Sequence, residues 1–485
     1  MRVYSKVGKF MRRVFNVLWG VFFLMHLSGA AALQKPNILL FIADDQSVFD
    51  YGSYGNRSVP TRATDRFARE SLVFDRAFTG QAICAPSRSM MYTGLYPVRN
   101  GCFINHTAIR PGVRTLPGHL QPLGYEVVLA GKSHVKPVAQ FGWCDWFPPE
   151  KVENRPRPSL PFEKMERFFK ESDEPFCMVV ASEYPHGPFF KESRFSPEEV
   201  ALEPFRNSSV EERKYTARYY ANIEAGEHEF ERVLALLETH GLAENTVVVY
   251  VADHGMFRGK FTVYASGLRV PMMVRGPGLV RAGRSDALVS LADLVPTFIE
   301  LAGGRVPDGL DGESLLPLWR GDVQAGRAYV FGVGESQGIQ DRSLFPQRSV
   351  SDGRYQYIFS FNSAERLRRD EAAGKPIDYF RRRDALRFSD WDEEALYDLA
   401  ADPFELENIA GAESVAEVQA RLRRVLFDWM KSQGDYVRAD GELPFFKTHM
   451  HPMDETNVRF NYHVPQPLTG SLHDKLVDPH GITSQ

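Results

Sequence analysis

The sequence predicts an α/β protein with a doubly wound, mostly parallel sheet that carries helices on both faces, and a smaller C-terminal α+β subdomain with an antiparallel sheet. Continuous apolar runs that lead into polar residues are typical of parallel strands covered on both sides. Helix patterns lie between these runs, which favours the doubly wound class. Beyond residues 321–327 the strand patterns become shorter and begin to alternate, which indicates antiparallel pairing.

We expect four segments along the chain. Residues 1–32 form a signal peptide, residues 33–325 the main α/β domain, residues 326–440 the antiparallel-sheet subdomain, and residues 441–485 a tail without periodicity. A chain of 485 residues is long enough to bury a large core and to form two or more domains.

Residues 1–32 differ in composition from the rest of the chain. Five basic side chains accompany a mostly apolar run from Phe15 to Leu27, and the small residues Ala30–Ala32 follow it. This pattern is typical of a secretory signal peptide, and it predicts a periplasmic or secreted protein with no stable membrane insertion after cleavage. The alternative is an uncleaved anchor, although the apolar run is short for a membrane span.

The charge and the cysteine content exclude some classes of protein. Loss of residues 1–32 would change the formal net charge from −4 to −9, because five basic and no acidic side chains would be removed. An acidic chain without a basic stripe is a poor general binder of polyanions, so nucleic acid is not an expected partner. With Cys84 set aside, Cys102, Cys144 and Cys177 allow at most one disulfide, and their spacing does not select a pair.

Four continuous apolar runs in the sequence are each followed by polar or charged side chains. Because the carboxyl ends of parallel strands meet at one edge of a sheet, where ligands bind, these side chains predict a single cleft. The runs with their polar neighbours are Asn37–Ala43 before Asp44 and Asp45, Tyr125–Ala130 before Lys132 and His134, Phe176–Ser182 before His186, and Thr246–Ala252 before Asp253 and His254.

Three carboxylates in this set predict a metal site. Asp44, Asp45 and Asp253 would repel one another unless a cation lay between them. Hard oxygen ligands favour Ca²⁺, or Mg²⁺, over a thiolate-rich zinc site. His254 is either a further ligand or a hydrogen-bonded neighbour of the site. The alternative for the paired aspartates is a solvated turn.

The segment Cys84–Arg88, with the sequence CAPSR, predicts a helix start. Pro86 suits the first turn, and Gly94 is a natural stop. Cys84 would then lie just ahead of a helix N-terminus, where anions are favoured and the pKa of a thiol is lowered. Arg88, about one turn later, would hold an oxyanion as a planar fork. The alternative for a single cysteine is a small buried hydrophobe.

Two helices in the main domain have clear local signals. Thr61 or Thr64 would cap a short helix ending at Ser71. A longer helix over residues 209–240 has apolar side chains at three- and four-residue steps and Gly241 as its stop. We interpret its stripe as core packing only, and the members are Tyr215, Tyr219, Ile223, Phe230, Leu234 and Leu237.

The C-terminal subdomain is predicted to contain short strands and an amphipathic helix over residues 415–431. Glu335 and Arg348 would lie near the cleft, and we interpret them as a surface salt bridge. The predicted strands are Tyr329–Val333, Arg348–Ser351, Tyr355–Phe361 and Ala395–Leu399.

The Cys-x-Pro-Ser-Arg string at residues 84–88 resembles the signature of the sulfatases. The resemblance extends from about Lys35 to about Tyr436 and is greatest towards the heparan N-sulfatase (sulfamidase) branch and its bacterial relatives. It implies hydrolysis of a sulfate ester or sulfamate on a sulfated sugar or glycan. It also implies a maturation enzyme that oxidises Cys84 to formylglycine, and a divalent metal.

The resemblance further implies a role for each site residue. Hydrated formylglycine at position 84 would attack sulfur, and His186 with Lys260 would protonate the leaving group. His134 would then deprotonate the second hydroxyl, so that sulfate is eliminated and the aldehyde is restored. Arg88, Lys132 and Lys260 would hold the anion, with an ordinary surface lysine as the alternative for Lys260. The implied metal ligands are Asp44, Asp45, residue 84, Asp253 and His254, the last at a position where many sulfatases have Asn.

Two other functions are compatible with the same pattern. One is a phosphate or phosphonate ester hydrolase of the same superfamily, although many such relatives use Thr or Ser as the nucleophile. The other is a catalytically silent, secreted glycan-binding homologue, which would have lost ligands. The intact string at residues 84–88 and the complete set of expected polar residues favour the sulfatase.

The N-terminal pattern predicts export with cleavage. Because the small residues Ala30–Ala32 form the cleavage site, the mature chain should begin near Leu33. N-terminal sequencing of exported protein measures this directly, and cytosolic protein that retains Met1 would contradict the assignment.

Overall fold

Strand β1, Asn37–Asp44, lies inside an eight-stranded sheet in the computed structural model of the chain. The structure describes residues 35–206, 208–256, 259–335, 346–361, 372, 374, 393–435, 450–451 and 461–462. The predicted signal peptide and nearly all of the predicted tail lie outside these residues. Within them, no helix is both long and apolar enough to cross a membrane.

Within the described residues, the strands form one large sheet and two smaller ones. The large sheet has the order β4-β3-β5-β1-β6-β7-β2-β8, and only β7 runs antiparallel to its neighbours. The strands after β1 are β2 Leu72–Phe78, β3 Glu126–Gly131, β4 Asp145–Phe147, β5 Phe176–Pro185, β6 Thr246–Ala252, β7 Arg269–Arg275, β8 Gly283–Ser290, β9 Val330–Gly334, β10 Gln347–Ser351, β11 Tyr355–Ser360, β12 Glu394–Asp398, β13 Met450–His451 and β14 Asn461–Tyr462.

Helices connect these strands, and most have identifiable ends. The longest, α7, has Ser209 as its N-cap, with the side chain accepting from the amide of Glu212. The α-helices are α1 Arg62–Arg69, α2 Cys84–Thr93, α3 Pro97–Asn100, α4 Leu116–Leu120, α5 Val138–Phe141, α6 Phe162–Glu171, α7 Val210–Thr239, α8 Ala265–Leu268, α9 Leu294–Leu301, α10 Leu316–Arg320 and α11 Ala416–Ser432.

Both faces of the large sheet are buried, as predicted for a doubly wound fold. Along β1, Ile38, Leu40 and Ile42 belong to one apolar cluster, whereas Leu39 and Phe41 belong to another. Helices α2, α4, α9 and α10 contribute to the first cluster, and α1, α6 and α7 contribute to the second. The four predicted strands of the cleft are therefore held rigidly from two sides.

The C-terminal subdomain has the predicted antiparallel sheet, in the order β12-β11-β10-β9. Arg348 differs from the expected surface salt bridge, because its side chain is buried against the carboxylates of Glu335, at 2.9 Å, and Asp435, at 2.6 Å. This buried arginine joins β10 to the segment that follows α11. The boundary between residues 325 and 326 stays a prediction.

The segment around Glu405 ties this subdomain to the main domain. Glu405 is fully buried, and its carboxylate accepts the backbone N–H of Ala265 at the start of α8. Glu405 thus supplies an acceptor for an amide that has no partner within its own helix.

Candidate active site

The carboxyl ends of β3, β5, β1 and β6 lie side by side, as the sequence predicted. These strands are consecutive neighbours in the sheet and all four run parallel. Their ends bring together the polar residues that followed the four apolar runs. The expected meeting of these residues at one edge of the sheet is therefore confirmed, whereas the cleft itself stays a prediction.

Arg88 joins two of the three carboxylates. Its Nε donates to Asp253 Oδ2 at 3.1 Å and its Nη2 donates to Asp44 Oδ1 at 3.2 Å, with all three side chains fully buried. Burial alone would raise the pKa of Asp44, but the positive charges of Lys132 and Arg88 hold that pKa well below its usual range. Arg88 thus organises the carboxylates, and its direct contact with an oxyanion stays a prediction.

Asp45 holds a left-handed backbone conformation, with φ of 67°, at the turn after β1. Its amide donates to Asp253 Oδ1 at 3.0 Å, and its Oδ2 accepts from Lys260 Nζ at 2.6 Å. Burial opposes ionisation, but the ammonium of Lys260 outweighs it and lowers the pKa of Asp45. The strained turn therefore aims a second ionised carboxylate into the site.

His254 presents Nε2 to the same space. Its Nδ1 lies 2.9 Å from the carbonyl oxygen of Gly255, which can only accept, so Nδ1 carries a proton. Nε2 lies 3.2 Å from Asp45 Oδ1 and 3.3 Å from Cys84 Sγ. A neutral imidazole in this tautomer would have its lone pair beside a carboxylate oxygen, an arrangement that a cation would stabilise.

Cys84 is the first residue of α2 and is almost fully buried. Its Sγ lies 3.7 Å from Asp45 Oδ1 in addition to the contact with His254. The expected lowering of its thiol pKa is wrong. Burial raises the pKa, and the nearby Lys132 and Lys260 only partly offset this effect. A helix N-terminus is too weak an influence to overcome the loss of water around the sulfur.

Within the CAPSR string, Ser87 holds the helix against the sheet. Ser87 Oγ accepts from Thr79 Oγ1 at 2.8 Å and donates to the carbonyl oxygen of Asp253 at 2.6 Å. Helix α2 ends, as predicted, at Gly94, which has φ of 68°. The string therefore fixes the start of α2 relative to the end of β6.

Two lysines border the carboxylates. Lys132 Nζ lies 2.5 Å from Asp44 Oδ2, across from the contact that Lys260 makes with Asp45. The loop that carries Lys260 packs backbone to backbone on α8, since a Cβ at Gly259 would lie 2.3 Å from the Cα of Gly267. This close approach positions Lys260, whose side chain is only 13% exposed, and argues against the surface-lysine alternative.

His186 lies at the partly open side of the site. Its Nδ1 contacts the carbonyl oxygen of Gly187 at 2.5 Å, so Nδ1 is the donor and Nε2 is available as an acceptor. Nε2 lies 3.4 Å from Lys260 Nζ and 3.5 Å from Asp45 Oδ2. Burial lowers the pKa of His186, which favours the neutral ring.

His134 makes a contact that the sequence did not indicate. Its Nε2 lies 2.8 Å from Nδ1 of His106, a residue of the segment after α3. Burial, with a further contribution from Lys132, lowers the pKa of His134 well below its usual value. No motif signalled His106, because it follows no strand and belongs to no periodic pattern.

Tyr219 was assigned to a core stripe, yet it supports the site. Its hydroxyl donates to the carbonyl oxygen of Asp45 at 2.9 Å and lies 2.9 Å from Asp50 Oδ2. Burial raises the pKa of Asp50 to about 7. The apolar spacing on α7 concealed this role because a tyrosine contributes both a packing ring and a polar tip.

The donor set fits a divalent cation. Ligand atoms of Asp45, Cys84 and His254, and likewise of Asp44, Cys84 and Asp253, lie within 4.8 Å of one another, and all these residues are buried. Carboxylate oxygens with one imidazole nitrogen suit a hard or borderline ion. All four cysteines are free thiols, which leaves Cys84 available for this site.

Comparisons with known proteins agree with this geometry. Residues 36–304 match the family model described as Sulfatase, and residues 252–368 match the model described as N-sulphoglucosamine sulphohydrolase, C-terminal. A protein of Formosa agariphila named ulvan-active sulfatase is 42% identical over 84% of this chain and 82% of its own length.

Two more distant relatives extend the comparison. The N-sulphoglucosamine sulphohydrolase of Homo sapiens is 26% identical over 84% of this chain and 92% of its own length. A structure solved in complex with its substrate D-glucosamine-2-N,6-O-disulfate has a TM-score of 0.66 at 21% identity, over 83% of this chain and 99% of that chain. This last likeness shows a shared fold.

Tyr219→Phe tests whether the hydroxyl supports the site. Loss of its hydrogen bond to Asp45 should weaken the affinity for a divalent cation by about 10-fold, as for other residues that orient metal ligands, and lower stability by about 1 kcal/mol. Calorimetric titration and thermal unfolding measure the two effects. Tyr220→Phe is the matched control, since its hydroxyl makes only long contacts of 3.4 and 3.5 Å. Equal effects from both variants would contradict the assignment.

Proposed function

The chain belongs to the sulfatase family of hydrolases, and we propose that it hydrolyses a sulfate ester or sulfamate on a sulfated sugar or glycan after Cys84 has been converted to formylglycine. One observation carries the proposal. The side chain at position 84 touches both His254, at 3.3 Å, and Asp45, at 3.7 Å, inside the carboxylate cluster. A nucleophile formed there would lie against the cation site and between two lysines.

The unmodified thiol is a poor candidate for the nucleophile. Its pKa is raised by burial, so the thiolate is scarce, and attack on sulfur would leave a stable thiosulfonate-type ester. A serine would stall in the same way, since its sulfate ester has no second hydroxyl. Hydrated formylglycine supplies a geminal diol, which offers attack by one oxygen and release of sulfate through the other. Cys84 Sγ therefore stands in for one of these oxygens.

The leaving group requires a proton, and we assign its donation to Lys260, with His186 as the neighbouring acceptor. Lys260 carries the ammonium, and Nε2 of His186 lies 3.4 Å away as an acceptor. Because both side chains reach the partly open side of the site, the departing oxygen or nitrogen would leave next to them. Resemblance to the family assigns the later base step to His134.

A bound divalent cation would give the site the net positive charge that suits an anion, because the three cationic side chains are already matched by three carboxylates. Lys132 and Lys260 each neutralise a carboxylate, and Arg88 neutralises the remaining charge between Asp44 and Asp253. Asp44, Asp45, Asp253 and His254, with residue 84, would hold Ca²⁺, for which Mg²⁺ is the alternative. When bound, the cation supplies Lewis-acid stabilisation of an oxygen bonded to sulfur.

The relatives guide the choice of substrate. The protein that is 42% identical is named for ulvan, and the human protein that is 26% identical is named for N-sulphoglucosamine. We therefore propose a sulfated glycan as the substrate class. Sulfate release from defined O-sulfated and N-sulfated saccharides, compared with phosphate release from a matched phosphate ester, separates the linkages and tests the phosphatase alternative. Because such glycans are extracellular polymers, the proposal includes export of the mature chain.

Modification of Cys84 should determine activity. Mass spectrometry of the peptide that contains residue 84 should detect the aldehyde in active preparations, and turnover should scale with the modified fraction. Cys84→Ser should turn over once at most and accumulate sulfated protein. Cys144→Ser, at an exposed free thiol, is the control and should retain activity. Full multiple turnover by protein with an entirely free Cys84 thiol would refute the mechanism.

Metal removal should affect both stability and turnover. Chelation removes the positive charge of the metal ion, so the repulsion between the clustered carboxylates increases. The melting temperature should therefore fall and activity should disappear, and Ca²⁺ should restore both. Asp253→Ala should abolish metal binding, whereas Asp286→Ala, an exposed control, should not. Full activity and metal content in Asp253→Ala would show that the site is assigned wrongly.

A further inference from the structure

We propose that Asn105 and His106 are positioning residues that hold the ring proton of His134 on Nδ1. His134 would therefore enter the reaction as a hydrogen-bond donor, without a free lone pair at Nδ1. The role in turnover rests on the proposed sulfatase function, whereas the position of the proton follows from the hydrogen-bond chain alone. Sequence motifs gave no indication of either positioning residue.

The series of hydrogen bonds begins at a group that can only donate. The backbone N–H of Ala85, in the first turn of α2, lies 3.2 Å from Asn105 Oδ1. Because a backbone amide cannot accept, Oδ1 must face it, and this contact fixes which end of the Asn105 side chain carries the NH₂ group. The orientation of the amide is therefore set by the helix that carries Cys84.

The second link sets the tautomer of His106. Asn105 Nδ2 lies 3.2 Å from His106 Nε2 and must donate, so His106 Nε2 is an acceptor. Burial and the neighbouring lysines lower the pKa of His106 to about 4, so that the ring is neutral at physiological pH. A neutral ring with an accepting Nε2 carries its proton on Nδ1.

The third link transfers this constraint to His134. His106 Nδ1 lies 2.8 Å from His134 Nε2, so His106 donates and His134 Nε2 accepts. The single ring proton of neutral His134 must then lie on Nδ1. That nitrogen is buried, and among the described residues it has no hydrogen-bond partner. A buried N–H without a protein partner is costly unless a ligand or water accepts from it.

The backbone indicates that the two rings are held in place. His106 has φ of 68° and His134 has φ of 46°, both in the left-handed region that non-glycine residues rarely adopt. The ring centroids lie 4.7 Å apart. Such conformations persist where the surrounding structure determines them, which is expected of residues that orient a reacting group.

The consequence concerns the chemistry of the site. Near the ammonium of Lys132, a donating Nδ1–H would stabilise the negative oxygens of a sulfate group. A base step at Nδ1 would require the proton on His134 to move to Nε2. The donor and acceptor in each hydrogen bond back to Asn105 would then have to exchange roles. The N–H of Ala85 opposes this exchange while residue 105 is asparagine, so a donor role for His134 replaces the base role that the family resemblance assigned to it.

Nitrogen NMR of protein labelled in its histidine rings tests the proposal. Ring signals are assigned with His106→Gln and His134→Gln. In the native protein, His134 Nδ1 should show the shift of a protonated nitrogen and Nε2 that of an unprotonated one. The reverse pattern at His134 would overturn the proposal. This measurement requires no turnover, so it stays interpretable if the proposed sulfatase function fails.

Asn105→Asp should exchange the donors and acceptors along this series of hydrogen bonds. A carboxylate still accepts from Ala85 but cannot donate, so neutral His106 must donate through Nε2 and His134 must place its proton on Nε2. The spectrum is recorded at about pH 9, above the usual range of histidine pKa values. On the proposed substrate class kcat should fall about 10- to 100-fold with little change in KM. Asn245→Asp, at a partly exposed site outside the cleft, is the matched control, and its histidine shifts should equal those of the native protein. An unchanged His134 pattern in Asn105→Asp would also overturn the proposal.

Discussion

The ion pairs between Arg88 and the carboxylates of Asp44 and Asp253 are the constraint on which the site depends. Three buried carboxylates within one cluster would be strongly destabilising if they were unpaired, because charge is costly to remove from water. Arg88 compensates two of them from within the core, and Lys132 and Lys260 compensate from the edges. Removal of Arg88 would leave two carboxylates without a fully buried cation, so the arginine serves the fold as well as the proposed reaction.

The sequence predicted the scaffold of the site because local patterns determine it. Continuous apolar runs can be buried only between two helical layers, and the polar residues that end such runs must meet at one edge of the sheet. Asp44, Lys132 and Asp253 therefore lie where the pattern placed them. The positions of the C-terminal strands followed from their alternation in the same way.

Contacts made by loops, and the effects of burial, could not be predicted locally. His106 reaches His134 from a segment without periodicity, and Tyr219 has the spacing of an ordinary core residue although its hydroxyl holds Asp45. The thiol pKa of Cys84 was predicted in the wrong direction because the sequence reveals the helix N-terminus but not the depth of burial. A helix end contributes about 0.3–1 kcal/mol, whereas burial shifts a pKa by up to about 3–5 units.

The C-terminal subdomain acts on the site through backbone contacts. Glu405, itself in a left-handed conformation with φ of 53°, caps α8, and the glycine of α8 at position 267 packs directly on Gly259. The next residue after Gly259 is Lys260, whose ammonium neutralises Asp45. The amide of Phe261 in turn donates to the carbonyl oxygen of Ala82, just before α2. A buried carboxylate contributed by the second subdomain is thus connected, through α8, to the loop that delivers a cation to the large sheet.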